Sequence, residues 1–391
     1  MKKIGIIAEF NPFHNGHKYL IDQIKEKYPD SLIIVILSGN YTQRGEVSII
    51  DKWKKTDICL EEGIDLVVEL PFPFATQSAD YFAKGSLEIL NELKVDYLAF
   101  GSESDDIDTL KDIAKCQLNN KEFDLLVKMY CKTGLNYSTA MSHAIKDLIN
   151  KKIDTPNDLL AISYLKEIIK NNYNIEPLII KRINNYHNNN LEELPSAKSI
   201  RVALKDKKDI KKYVPKSTLS RLNNLHFIDD YYELLKYKII TDNDLNNYQT
   251  TNIKYISKLK KEVLNSNNID ELIKNNKSKN DTYNKISRML LHILVGFTKE
   301  QANSFKNISY IRILGFNSKG KNYLNKIKKD IDIPIISKIK RDKDPMLEFE
   351  IYTTKIYNLT SNDDLYKLEF LNHPGGNNEK TNKWLFKIFR K

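Results

Sequence analysis

Five short runs in the first 185 residues are almost wholly apolar and rich in β-branched side chains: "KIGIIAEF", "SLIIVILSG", "GIDLVVELP", "VDYLAFGS" and "EPLIIKRI". A strand with one wet face alternates apolar and polar residues. Continuous runs of this length predict strands covered on both faces, as in a parallel sheet. Between them, "NGHKYLIDQIKEKY", "DKWKKTDICLEEG" and "QSADYFAKGSLEILNEL" repeat apolar residues at helical spacing, and Gly63 stands where a helix C-terminal cap is expected. Alternating strand and helix predicts a Rossmann-like α/β domain with a parallel sheet.

The pattern then changes. Positions 135 to 295 contain no glycine, and "NDLLAISYLKEIIK", "DYYELLKYKII" and "YNKISRMLLHILVGF" carry the period of helices. Asn- and Lys-rich stretches such as "NNYHNNN", "NSNNIDELIKNNKSKND" and "HPGGNNEKTNK" predict loops. The expectation is a first domain over 1–204 and a mostly helical, basic C-terminal domain over 205–391, with "MLEFEIYTTKIYNL" as a late strand.

At 391 residues two sizeable cores are expected, and no apolar run in the 41% hydrophobic chain approaches the roughly 20 residues that span a bilayer, so no membrane role is predicted. The start "MKKIGIIAEF" is broken by Glu9 and lacks a cleavage site, which favours a buried strand over a signal peptide. Cys59, Cys116 and Cys131 have no metal-ligand spacing and an odd count, as expected of a cytoplasmic protein without disulfides. The net charge of +11 suits a polyanionic partner, although a chain so rich in Lys, Asn, Ile and Tyr owes part of it to composition. Arginine is more selective: only eight of the 62 basic residues are Arg, and Arg44, Arg182 and Arg201 fall inside motifs.

The strongest motif is "IIAEFNPFHNGHKYLI", which runs from the first strand through a turn into a helix entered near His17. The carboxyl edge of a parallel sheet is where ligands bind, and amides at a helix start attract phosphate. Two imidazoles there, His14 and His17, can donate hydrogen bonds to a phosphate whose charge grows during displacement. Gly16 leaves room for a nucleotide against the backbone.

"FNPFHNGH" resembles the HIGH motif of the nucleotidyltransferase superfamily, which includes adenylyl- and cytidylyltransferases and class I aminoacyl-tRNA synthetases. With "SGNYTQRGEVSIIDKW", "GIDLVVELPFPFATQSADYFAKGSLEIL", "VDYLAFGSES", "PNDLLAISYLK", "IKRINNYH" and "PSAKSIR", the N-terminal half resembles the bacterial tRNA(Met) cytidine acetate ligase family almost continuously. The resemblance implies a HIGH-type nucleotidyltransferase fold over 1–204. It also implies N4-acetylation of the wobble cytidine, position 34, of elongator tRNA(Met), from acetate and ATP through an acetyl-adenylate, with Mg2+ accompanying the ATP.

His14 and His17 would be catalytic. An ATP site would run through Ile7, Ala8, Glu9, Phe10, Asn11, Pro12, Phe13, His14, Asn15, Gly16, His17, Lys18, Tyr19 and Leu20, joined by Gly101, Asn157, Arg182, Ser196, Ser199 and Arg201. Asn11 stands where many superfamily members carry Asp, leaving open whether that position serves a metal or the turn. Several of these residues also have plainer readings. Ser196 to Arg201 would equally make an ordinary Pro-Ser helix cap, Asn157 a helix-start residue, Gly101 a tight turn, and Lys181 with Arg182 a solvated strand end. Gln43 and Arg44 sit in a polar loop that would touch substrate or tRNA, or merely solvent.

Two other functions stay open on sequence alone. A nucleotidyltransferase acting on a small metabolite would share the motifs but leave the basic second half without a task, and a non-catalytic RNA-binding module would not need intact His14, His17, Ser199 and Arg201. If the second half docks tRNA, the lysine-rich segments 205–216 and 319–329 are expected to contact phosphates.

Overall fold

The computed structural model describes residues 1–151, 155–181, 196–279, 281–339, 344–361 and 363–374. Seven strands form one sheet: β1 (Lys3–Ala8), β2 (Leu32–Ser38), β3 (Leu66–Leu70), β4 (Tyr97–Ser102), β5 (Glu176–Lys181), β6 (Ile311–Phe316) and β7 (Ile335–Ile336). Their order is β5-β4-β1-β2-β3-β6-β7, and every pairing is parallel except β3 with β6. The five expected strands are all present. They read as continuous apolar runs because both faces are covered: Ile33, Val35 and Leu37 pack with the helices carrying Ile21, Ile24 and Ile58, while Leu32, Ile34 and Ile36 pack with Leu87 and Leu90. The helix Lys52–Glu61 is followed by Gly63 at φ +88°, as its predicted cap role requires.

The second half is less separate than expected. Strands β6 and β7 come from beyond residue 205 and complete the same sheet, so a division at 204/205 does not follow an edge of the sheet. A further apolar core, built around Leu235, Ile239, Leu259, Leu290 and Ile293 of the late helices, also takes in Tyr41, Val47 and Phe72 from the first half. The predicted strand "MLEFEIYTTKIYNL" is instead the helix Pro345–Tyr357. Asp344 caps it by accepting from the amides of Met346 and Leu347, and Met346, Leu347, Phe349, Glu350, Thr353, Thr354 and Tyr357 are buried at helical spacing. Burial at that period outweighs the β propensity of its Ile and Thr residues.

A fully buried ionic cluster joins the two halves. Lys52 Nζ lies 2.7 Å from Glu69 Oε1 and 2.8 Å from Glu369 Oε1, and Arg312 NH1 lies 3.0 Å from Glu69 Oε2 while its NH2 also binds Glu369. Glu350 Oε2 accepts from the Phe72 amide at 2.6 Å. Burial, reinforced by Glu69, pushes the Glu350 carboxyl up to about 8, whereas Arg312 and Lys52 overcome burial and hold Glu369 at about 2. Each cation thus bridges Glu69 and Glu369, while Glu350 is held through the Phe72 amide, so the buried charges are paired rather than isolated.

Candidate active site

The topology singles out one place. β1 lies between β2 and β4, and the chain builds outward in opposite directions from β1 and β4, so a crevice opens beyond their carboxyl ends. The H-x-G-H turn fills it. Phe10, at φ +46° and 3% exposed, begins the turn, and Asn11 pins it to the next loop: its Oδ1 accepts from the Ile49 amide at 2.8 Å. Asn11 is thus committed to the turn.

The first helix, Asn15–Lys27, starts two residues earlier than the pattern suggested, because His14 is its N-cap. His14 Nδ1 accepts from the Gly16 amide at 3.1 Å, and His17 Nδ1 accepts from the His14 amide at 3.2 Å, a reciprocal capping box made by two histidines. Each Nδ1 is therefore an acceptor, and in the neutral ring the proton must sit on Nε2. The rings stack with centroids 3.7 Å apart, and Phe10 and Phe13 pack against His17 at 4.7 and 5.5 Å. A Cβ on Gly16 would lie 2.9 Å from His14 Cε1, so the glycine makes room first for the His14 ring.

Of the other predicted residues, Arg201 reaches this turn. Arg201 NH1 donates to the Asn11 carbonyl at 2.8 Å and NH2 to Glu46 at 2.6 Å. Ser196 is the N-cap of the helix Ala197–Lys205, its Oγ accepting from the Ser199 amide at 3.1 Å, and Ser199 Oγ donates back to the Ser196 carbonyl at 2.8 Å. The ordinary cap and the link to the crevice are both present. Ile7 and Ala8 end β1; Gly101 lies next to last in β4, in register with Ile180 of β5. Asn157, in the first turn of the helix Pro156–Lys170, donates to Glu103. Asn15 Nδ2 donates to the Lys212 carbonyl at 2.8 Å, and Lys18 turns to Glu62 at 3.0 Å, with Tyr19 and Leu20 continuing along the helix. Lys181 lies 3.9 Å from Asp105, and Arg182 falls outside the described residues.

Three residues that hold the crevice were not singled out from the sequence. Asp158, 2% exposed, accepts from Ser102 Oγ at 2.5 Å, from the amides of Glu103 and Ser104 at 3.2 Å each, and from Thr155 Oγ1 at 2.7 Å, so one carboxylate shapes the loop after β4. Lys55, 1% exposed, donates to the carbonyls of Glu9, Ser38 and Gly39 at 3.1, 2.7 and 2.6 Å. It ties the carboxyl ends of β1 and β2 together, and burial brings its ammonium down to about 8. Glu46, which receives Arg201, closes the loop that carries Gln43 and Arg44. There Gln43 N donates to Glu9 Oε1 at 2.6 Å, placing the loop directly beside β1.

The two lysine-rich segments occupy opposite edges of the sheet. Tyr213 accepts from the Asn15 amide at 3.0 Å, so 205–216 lies against the start of the first helix, with Lys205, Lys207, Lys208, Lys211, Lys212 and Lys216 exposed. The helix Ser318–Ile327 instead packs where β2 and β3 begin: Asn317 N donates to the Asp65 carbonyl, and Lys319 Nζ to the Ser31 carbonyl. Only the first segment shares the carboxyl edge with the histidines. Among the described residues no group of three or more His, Cys, Asp and Glu side chains is placed to hold a metal, and no helix is long and apolar enough to cross a membrane.

The family model for HIGH nucleotidyl transferases matches residues 1–369. A tRNA(Met) cytidine acetate ligase of Lysinibacillus sphaericus is 35% identical over 92% of this chain and 95% of its own length. Its namesake from a Thermoanaerobacter species is 36% identical over 95% and 98%. The crystal structure of Thermotoga maritima TmcAL in its apo form superposes with a TM-score of 0.88 at 25% identity, covering 96% of this chain and 99% of that one. The same protein bound with alpha-thio ATP gives 0.86 over the same shares.

Proposed function

The chain belongs to the HIGH nucleotidyltransferase family, and within it to the tRNA(Met) cytidine acetate ligases; on that premise we propose that it joins acetate to N4 of the wobble cytidine of elongator tRNA(Met) in the cytoplasm, consuming ATP. The observation that carries the reading is the paired capping of His14 and His17 at the β1/β4 crevice, which sets both Nε2–H donors at a helix start.

Acetate is a poor acyl donor because its leaving group would be oxide. A carboxylate oxygen attacks the α-phosphorus of ATP, the bond to the β-phosphate oxygen breaks, and pyrophosphate leaves with its electron pair. His14 and His17 donate to the α-phosphate oxygens as charge builds there, and the helix start adds its amide dipoles. Arg201 and Ser199 take the β- and γ-phosphates, a task suited to a guanidinium that reaches the turn and a buried hydroxyl at the start of the same helix. Gly101 and Asn157 complete the nucleotide contacts beside β4, and Arg182 is given a further contact by the family resemblance. Mg2+ would accompany the triphosphate and offset its charge, and among the described residues no cluster of acidic side chains would hold it by itself.

The cytidine amine then attacks the acetyl carbon, AMP departs, and the amine loses a proton. Because the N4 lone pair is delocalised into the ring, a mixed anhydride is the acyl donor this nucleophile needs. The loop at Gln43 and Arg44 and the exposed lysines of 205–216 flank the crevice on the side where tRNA would approach. The test is mass spectrometry of nucleosides after incubating the protein with ATP, acetate and transcribed elongator tRNA(Met). N4-acetylcytidine at the wobble position supports the reading, and an unmodified tRNA overturns it.

A further inference from the structure

We propose that Arg288, on the helix Tyr283–Val295, is a phosphodiester subsite that grips the tRNA backbone beside the base being acetylated. The inference rests on the ligase reading above and adds a residue from the helical second half that no motif marks.

The helix crosses directly over the loop that carries Gln43 and Arg44. Ser287 Oγ donates to the Gly45 carbonyl at 2.9 Å and Arg288 NH1 to the Gln43 carbonyl at 3.2 Å. Gly45 has φ +79°, and a Cβ there would meet Arg288 N at 2.4 Å, so backbone touches backbone. From this contact two short paths lead to the histidine turn: Gln43 N to the Glu9 carboxylate at 2.6 Å, and Glu46 to Arg201, which itself donates to the Asn11 carbonyl.

Arg288 differs from Arg312, the fully buried arginine of the ionic cluster. Arg312 is met by Glu69 and Glu369, whereas Arg288 makes no ion pair among the described residues and has the Gln43 carbonyl as its hydrogen-bond acceptor. Burial lowers its guanidinium to about 10 with no anion to offset the cost. A half-buried guanidinium with no ion pair among the described residues, one loop away from the reaction centre, is a site for an oxyanion, and its fork matches two oxygens of a phosphate. The loop holding it runs directly beside β1, and the macromolecular substrate is a polyanion whose reactive base has to be held within reach of the histidines. Those features favour RNA phosphate over the carboxylate of acetate, the other oxyanion the reaction uses.

The experiment uses the full chain with Arg288→Gln and Arg288→Lys. Three quantities are measured: acetate-dependent pyrophosphate exchange into ATP without tRNA, kcat/KM for tRNA acetylation, and the salt dependence of tRNA binding. Exchange and its acetate KM should stay at wild-type values. For Arg288→Gln, kcat/KM for tRNA should fall about 10- to 100-fold and the salt slope shrink by about one, with Arg288→Lys recovering part of the loss. Unchanged tRNA parameters in both variants would overturn the proposal. So would a raised KM for acetate with the tRNA step intact, which would assign the guanidinium to the acetate carboxylate. Absence of acetylation by the wild-type protein would remove the ligase reading itself, an outcome distinct from either.

Discussion

On the proposed mechanism His14 has two jobs that reside on different ring nitrogens, and the two can be separated. Nδ1 caps the first helix by accepting from the Gly16 amide at 3.1 Å, and Nε2 is the donor assigned to the α-phosphate. Asparagine can replace the Nδ1 acceptor but reaches no farther, while glutamine can reach the Nε2 position but abandons the cap. Loss of an N-cap costs about 1 kcal/mol of stability, and loss of one donor to a developing oxyanion costs about 3 kcal/mol in the barrier, about 100- to 1,000-fold in rate. His14→Asn should therefore unfold at nearly the wild-type urea midpoint yet exchange pyrophosphate about 100- to 1,000-fold more slowly. His14→Gln should be about 1 kcal/mol less stable and markedly faster than His14→Asn. Urea titrations and exchange rates on the same preparations supply both numbers. The opposite ranking, with the asparagine variant active and the glutamine variant inert, would show that His14 acts only as a cap.

Arg201→Lys should weaken ATP much more than AMP in equilibrium titrations, because a point charge replaces the fork assigned to the β- and γ-phosphates; equal losses would move Arg201 out of that role. His292 is fully buried, its ring nitrogens 3.0 and 3.1 Å from the carbonyls of Thr76 and Gln249, and burial brings it down to about 4 from the ordinary 6.5. As pH falls from 6.5 towards 4 the unfolded chain takes up a proton that the fold refuses, so stability present above pH 6.5 should decline by about 3 kcal/mol, and His292→Gln should flatten that decline in urea midpoints measured across the range. Alanine at Lys207, Lys208, Lys211 and Lys212 should weaken tRNA binding and reduce its salt slope, whereas alanine at Lys326, Lys328 and Lys329, at the opposite edge of the sheet, should leave filter-binding curves unchanged.

The first four strands were readable because burial on both faces writes a nearly unbroken apolar run, and the edge strand β5 keeps such a run although only Leu178 in it is buried. β6 was not, since its second residue is Arg312, a type that normally signals solvent. It lies in the interior only because Glu69 and Glu369 meet it from far along the chain. The same effect hid Lys52 and Lys55 within "DKWKK", which reads as a wet helix face although both ammonium groups are buried. The helix Pro345–Tyr357 was misread for a different reason: its Ile and Thr residues favour strand locally, and the tertiary surface that selects a helix is assembled from both halves. At the site, the H-x-G-H turn and Arg201 were legible because their chemistry is local or carried by a motif. Asp158, Glu46 and Arg288 were not, because each matters through a partner distant in sequence. The same bracing makes truncation near residue 205 a poor test of tRNA binding: it would remove β6, β7 and the helix whose Thr353 carbonyl receives Tyr41.

On the proposed mechanism the paired histidines activate acetate on ATP before any tRNA is engaged. Incorporation of labelled pyrophosphate into ATP, followed with the purified full-length protein in the absence of tRNA, tests it most directly. Exchange should appear on adding acetate and collapse in His14→Asn and His17→Asn. Exchange that ignores acetate, or that persists undiminished in both variants, would contradict the account.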